Sequence, residues 1–144
     1  MPGDLSIRPY IDEDFNAVLA LWQACDMTRP WNDPAKDINF CQNAPASCLF
    51  VGIKDDTVIA TAMLGHDGHR GVLYYLAVHP DQQGKDYGRQ MVRHGEDWLK
   101  GLGVWKLNLM IRDDNEPVRD FYQAIGYEEE PRIVMTRRLE KEEQ

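Results

Sequence analysis

Long apolar runs are missing from this chain of 144 residues, and nothing in it approaches the roughly 18 consecutive apolar residues of a membrane-spanning helix. Cysteine is scarce. Cys25, Cys41 and Cys48 are odd in number and form no Cys-x-x-Cys pair, which argues against a disulfide framework and against a zinc site. Positive charge is also in short supply: 16 Lys and Arg against 24 Asp and Glu give a formal net charge of −8. Non-specific nucleic-acid binding, which needs a basic face, is therefore not expected. Met1-Pro2-Gly3-Asp4 lacks the basic-then-apolar pattern of a secretion signal, so the expected location is the cytoplasm, with no membrane partner.

What is present is ordinary for a soluble globular protein: 43% hydrophobic and 28% charged residues. The length suits one domain with a single two- or three-layer core. The acidic balance is compatible with cationic substrates such as amines, and equally with a plain solubility device.

Along the chain, Leu5, Ile7 and Pro9 alternate with Ser6 and Arg8 as a short first strand. Asp12 reads as a helix N-cap, followed by Phe15, Val18, Leu19, Trp22 and Cys25 at helical spacing. Pro30, Pro34 and Pro45 break up the next stretch, leaving room for a short helix from Pro34 to Cys41. Strands are predicted from Cys48 to Ile53 and from Thr57 to Leu64, joined by a turn at Asp55-Asp56. A third follows from Val72 to Val78, completing an antiparallel trio. From Tyr87 the apolar positions Met91, Trp98, Leu99 and Leu102 share one helical face, with Gly103 beyond the last turn. Trp105 to Ile111 alternates as a strand. Asp113, Asp114 and Asn115 then offer N-cap candidates, and Pro117 fits the first turn of a helix carrying Val118, Phe121, Tyr122 and Ile125, which Gly126 ends. Pro131 to Leu139 is predicted as a last strand, before a charged tail at 140–144. The order implies one α/β (α+β) domain over 5–139, with a mixed sheet and a local parallel pair.

The stretch from Val78 to Gly88 carries the most chemistry. An apolar strand stops at Pro80, a loop with Gly84 follows, and a helix begins near Tyr87. That order builds an anion cradle: glycine lets the backbone approach a ligand, and unpaired N–H groups at the helix start face negative charge. The spacing does not fit a dinucleotide-binding loop, and no acidic residue ends a second strand about 20 residues on.

Three segments in this order resemble the GNAT-type N-acetyltransferase superfamily over residues 5 to 139. They are Leu76-Ala77-Val78-His79-Pro80, the loop Gln83-Gly84-Lys85-Asp86-Tyr87-Gly88, and Asn115 with Val118, Phe121, Tyr122, Gly126 and Tyr127. Arg29 to Pro34 and Asp67 to Gly71 resemble more narrowly its YpeA-like subgroup. The resemblance implies a strongly twisted mixed sheet of six to seven strands flanked by about four helices. Two central parallel strands, ending at Val78 and Ile111, would splay apart. It further implies acetyl-CoA as co-substrate, no metal, and direct transfer of acetyl to the primary amine of a small molecule or peptide in a ternary complex. A non-catalytic acyl-CoA-binding module is the alternative. Leu76, Ala77 and Val78 would pair with the pantetheine arm. Gln83, Gly84, Lys85, Asp86, Tyr87, Gly88 and Arg89 would surround the pyrophosphate, and Asn115 would contact the cofactor. Tyr122 would donate a proton to the leaving thiolate; a phenol with an ordinary pKa of about 10 is protonated at neutral pH.

One residue departs from the family signature. Asp86 stands where an inner glycine is usual. A carboxylate ~6 Å from a phosphate charge, at an effective dielectric between about 20 and 80, costs roughly 0.7–3 kcal/mol. Lys85 and Arg89 offset part of it, and an N-cap role turned away from the ligand would avoid it.

On the acceptor side the resemblance points to Arg29, Trp31 and Asp33, with Asp26 and Asn32, at the pocket rim. Arg29 suits a carboxylate and Asp33 or Asp26 an ammonium; a simple Arg29–Asp33 ion pair is the plainer reading. The general base is open. Tyr74 occupies the position where many relatives carry glutamate, leaving His69, Asp67, Asp113 or a relayed water. His66, His69, His79 and His94 read otherwise as surface or turn residues, and His66-x-x-His69 has no third metal ligand at a workable spacing. None of the three cysteines is expected in the site loops, which disfavours a covalent cysteine route. The apolar carboxyl-terminal strand is a surface across which two copies can pair as a homodimer.

Overall fold

A computed structural model describes residues 5–140. The 141–144 part of the charged tail lies outside the described residues. The chain divides into two compact units, one running to Met110 and the other beginning at Ile111.

The first unit is a five-stranded sheet with helices on both faces. Its elements are β1 (Ser6–Pro9), a 3-10 turn at Asp12–Asp14, α1 (Phe15–Ala24), α2 (Pro34–Gln42), β2 (Ser47–Lys54), β3 (Thr57–His66), β4 (Gly71–Val78), a 3-10 turn at Pro80–Gln82, α3 (Tyr87–Gly101) and β5 (Leu107–Leu109). The strands lie in the order β1-β2-β3-β4-β5, antiparallel throughout except for the parallel β4–β5 pair. Asp55 and Asp56 close the β2–β3 hairpin as a two-residue turn with φ of 50° and 60°, the backbone such a tight turn demands.

Alternation along β2 shows why its middle is buried on both sides. Leu49 and Val51 join Val18, Leu21, Trp22, Ile38 and Cys41 in the core under α1 and α2. Phe50 and Gly52 point the other way, onto α3. Phe50 packs edge-on against His94 and Trp98, and a Cβ on Gly52 would sit 2.8 Å from the Met91 sulfur. Gly95 of α3 is needed for the same reason, since a Cβ there would meet Leu64 at 2.8 Å. The close approach of α3 to the sheet fixes where its N-terminus falls, beside the end of β4.

The first helix starts differently from the sequence reading. Asp12 makes no side-chain cap, and the capping carboxylate is Asp14. Its Oδ2 accepts from the Ile11 amide at 2.9 Å and from Arg8 Nη1 at 2.7 Å, while Oδ1 accepts from Arg8 Nη2 at 3.0 Å. Only Asp14 is buried enough to gain from both partners. Those hydrogen bonds, Arg8 first, hold its carboxyl below the usual carboxylate range.

The second unit holds α4 (Glu116–Ala124), opened by the Asn115 side chain, which accepts from the Val118 amide at 3.3 Å. Gly126, at φ 104°, ends the helix. Among the described residues the sheet has five strands rather than six to seven. Residues 131–139 make no strand ladder among the described residues, and Ile133, Met135 and Leu139 are exposed. The 105–111 strand shortens to Leu107–Leu109, the three residues opposite Gly71, Val72 and Leu73. Alternation describes one segment, whereas a strand exists only where a neighbour supplies the other half of the ladder.

Candidate functional site

The parallel pairing of β4 with β5 stops at Leu73. Tyr74 to Val78, the last five residues of β4, therefore have no strand on their β5 side among the described residues. That leaves a strand edge with unpaired backbone groups on this side. A bulge sits at its start. Thr61 pairs with Ala77 and Met63 with Tyr74, so Tyr75 and Leu76 together oppose one residue of β3. Tyr75 takes the left-handed backbone, φ 53°, which is uncommon for a bulky residue.

Three contacts hold that strained residue. Its ring stacks on Trp22, 3.9 Å between centroids and 11° between planes. Its carbonyl accepts from the Thr61 hydroxyl at 2.8 Å, and that hydroxyl oxygen accepts from the buried Trp22 indole N–H at 2.9 Å. Its own hydroxyl donates to Asp37 Oδ2 of α2 at 2.6 Å. Burial, followed by the Asp37 carboxylate, pushes the Tyr75 phenol well above its ordinary pKa. Nothing in the spacing of Tyr75 and Asp37 could have flagged this pair, which lies 38 residues apart.

Beyond β4 the chain forms a 3-10 turn and a short loop that lead into α3. His79 Nδ1 accepts from the Asp81 amide at 3.1 Å, shaping the 3-10 turn, and Gln83 Nε2 donates to the Val78 carbonyl at 3.1 Å. Gly84 has φ 78° with open space around it, and Asp86 has φ 71° at the N-cap of the 15-residue α3. Asp86 makes no side-chain cap. It therefore occupies the inner-glycine position in a glycine-like conformation, without the compensation a capping aspartate normally gains. Lys85 donates to Gln82 Oε1 at 3.2 Å, and Arg89 follows in the first turn of α3. Tyr87 is buried; its hydroxyl has no hydrogen-bond partner among the described residues, and its ring centroid lies 5.5 Å from Lys54 Nζ. The backbone of Tyr87, not its side chain, is thus the part suited to the loop. A helix N-terminus of this length, two left-handed residues and two nearby cations fit a diphosphate. Ala77 is buried, whereas Leu76 and Val78 are half-buried.

Cys25 corrects the sequence reading. At the end of α1, its thiol donates to the Val78 carbonyl at 3.3 Å, so one cysteine does lie beside this strand end. Burial raises the Cys25 pKa, which keeps it a thiol rather than a nucleophile.

The acceptor-side residues are mostly engaged locally. Arg29 pairs with Asp26 rather than Asp33, donating to its carbonyl at 2.5 Å and its carboxylate at 3.3 Å. Asp33 caps α2 by accepting from the Lys36 amide at 3.2 Å. Trp31 is exposed. Asp67 accepts from the Arg70 and His69 amides at 2.7 and 2.8 Å, and these bonds lower its pKa; His69 belongs to that same turn before β4.

In the second unit, Tyr122 is buried, with Phe121 and Tyr127 edge-on at 5.0 and 5.4 Å. Burial raises its phenol pKa, so it keeps its proton at neutral pH. Among the described residues, no group of three His, Cys, Asp or Glu side chains suits a metal, and no helix is long and apolar enough to cross a membrane.

Comparison with known proteins agrees with this geometry. The model of the Acetyltransferase (GNAT) family matches residues 16–127. An acetyltransferase of Yersinia pestis is 38% identical over 135 residues, covering 94% of this chain and 96% of that protein. Among solved structures, an aminoglycoside N-acetyltransferase in complex with CoA superposes with TM-score 0.80 at 18% identity, covering 95% of this chain and 97% of the other. The PaiA N-acetyltransferase of Thermoplasma acidophilum, in complex with coenzyme A, gives 0.75 at 17%, covering 91% and 94%.

Proposed function

This chain belongs to the GNAT acetyltransferase family, and from that premise we propose that it moves acetyl from acetyl-CoA to a primary amine of a small molecule or peptide, by direct transfer in a ternary complex. The observation that carries this is the exposed β4 edge, Tyr74 to Val78, running straight into the anion cradle at the start of α3. Leu76 and Val78 offer backbone groups to the pantetheine arm, with Ala77 buried between them. Gln83 to Gly88, with Lys85 and Arg89, receive the pyrophosphate. Bound there, acetyl-CoA supplies an activated acyl group.

Tyr122 is the proposed proton donor to the leaving sulfur; burial keeps its phenol protonated at neutral pH, so the proton is there to give. Asn115 caps the helix that carries it. Because the family match spans both units, we read residues 5–139 as one acetyltransferase domain, of the YpeA-like subgroup, working in the cytoplasm. Aminoglycoside acetyltransferases among the structural neighbours support a small-molecule acceptor. The exposed Ile133, Val134 and Met135 support pairing between two copies, which sedimentation would reveal as a dimer.

Calorimetric titration with acetyl-CoA, using dephospho-CoA and NAD as controls, tests the cradle. Micromolar binding of acetyl-CoA alone is expected, and no binding would overturn the reading. Tyr122→Phe should lower turnover by about 10²–10⁴ while leaving acetyl-CoA affinity unchanged. Wild-type turnover in that variant would remove Tyr122 from the mechanism.

A further inference from the structure

Length sets where a transferred acyl group would fall. On β3 the residues opposite Val78 and Tyr74 are Ala60 and Met63, three steps apart, so the open edge of β4 is about 10 Å long. A pantetheine arm has about twelve bonds between its phosphate oxygen and its sulfur, equivalent to about four peptide residues, or about 13–14 Å extended. The loop before α3 folds back onto the end of the strand, where Gln83 Nε2 donates to the Val78 carbonyl. With the diphosphate in that loop and the arm along the edge, the sulfur comes level with Tyr74.

Three boundaries meet at that point. Ahead, β5 closes the edge, because Leu73 pairs with Leu109. On the α3 face the space is filled: Leu73 is buried, its cross-strand partner Leu64 lies against Gly95, and a Cβ on Gly71 would meet Leu99 at 2.9 Å. The opposite face carries Tyr74, cross-strand from Met63, which packs on the core under α1 and α2. Those helices hold Tyr75 through Trp22 and Asp37 but leave Tyr74 45% exposed. An acyl chain that outgrows the edge can therefore leave it only toward the Tyr74 ring. We propose that Tyr74 is a specificity-determining residue whose ring walls off this exit and limits the transferred acyl group to acetyl. This rests on the N-acetyltransferase reading above and narrows its acyl donor.

The test titrates the full chain with free CoA, acetyl-CoA, butanoyl-CoA and hexanoyl-CoA in a calorimeter. Each affinity is taken relative to free CoA, which carries no acyl group. Wild-type protein should bind hexanoyl-CoA about tenfold more weakly than acetyl-CoA, the size of effect expected when a chain is forced against a packed side chain. Tyr74→Val removes the ring and keeps a residue suited to a strand, so it should erase that difference at an unchanged melting temperature. Tyr74→Phe keeps the ring and should keep the difference. Tyr74→Trp enlarges the ring and should extend the exclusion to butanoyl-CoA. Equal or tighter binding of hexanoyl-CoA by wild type, a difference that survives Tyr74→Val, or one that is lost in Tyr74→Phe would overturn the assignment. If free CoA and acetyl-CoA bind in those titrations, only the acyl limit falls. If neither binds, the transferase reading falls and takes the limit with it.

Discussion

The two sides of the β4 strand end are built in opposite ways. On the α1/α2 side, the hydrogen bonds Trp22–Thr61, Thr61–Tyr75 and Tyr75–Asp37 join residues 39, 14 and 38 positions apart. In the cradle, the bonds from Gln83 to Val78, Lys85 to Gln82 and Asp81 to His79 join residues 5, 3 and 2 apart. Long-range bonds of the first kind form only when the whole core is in place, and breaking one strains several elements at once. Local bonds of the second kind can be exchanged for ligand contacts without disturbing the core. The α1/α2 side is thus held by contacts between distant elements, whereas the loop before α3 is held by local ones.

Thr61→Val would break the rigid side most directly. It strips the hydroxyl that accepts from the Trp22 indole and donates to the Tyr75 carbonyl, leaving both unpaired in the core. A loss of about 1–3 kcal/mol in urea unfolding is expected; unchanged stability would show that the network is not what holds the bulge. Asp86→Gly sharpens the other side. With the diphosphate at this loop, as proposed, removing the carboxylate from a position already in the left-handed region should tighten acetyl-CoA by roughly threefold to a hundredfold, corresponding to about 0.7–3 kcal/mol. Unchanged or weaker binding would mean that the Asp86 carboxylate points away from the phosphates. If the contrast holds, this variant should shift the unfolding midpoint far less than Thr61→Val.

The smallest effect is expected from Asp14→Asn, at the edge of the rigid face. Arg8 holds the folded-state pKa of Asp14 below its unfolded value. Its stabilisation is therefore fully present above the unfolded value of about 3.9 and is lost as pH falls through the lower folded value. Urea midpoints measured from about pH 6 downward should show a flatter acid limb in the variant. An identical acid limb would remove Asp14 from the pH dependence.

Much of the cradle was legible in the residues themselves. Pro80, Gly84 and the apolar face from Met91 to Leu99 are local signals, and the loop and helix formed where they indicated. Asp86 was read as a departure from the family signature, but its left-handed backbone without a cap was visible only in the fold. The Asp12 cap failed because Asp12 and Asp14 are chemically alike, and only packing decides which one is buried beside Arg8. Residues 131–139, predicted as a last strand, have no ladder to join among the described residues.

By itself, the sequence determined the four helices, most of the strand order, the acetyltransferase family and the position of the glycine-containing loop before α3. These follow from periodicity, turn residues and short motifs, all written within a few consecutive positions. Only the tertiary structure decided that Tyr75 reaches Asp37, that Cys25 meets Val78, and that the pairing with β5 ends at Leu73. Each of these joins distant parts of the chain, and which distant groups meet is settled by close packing of the whole core rather than by any local pattern.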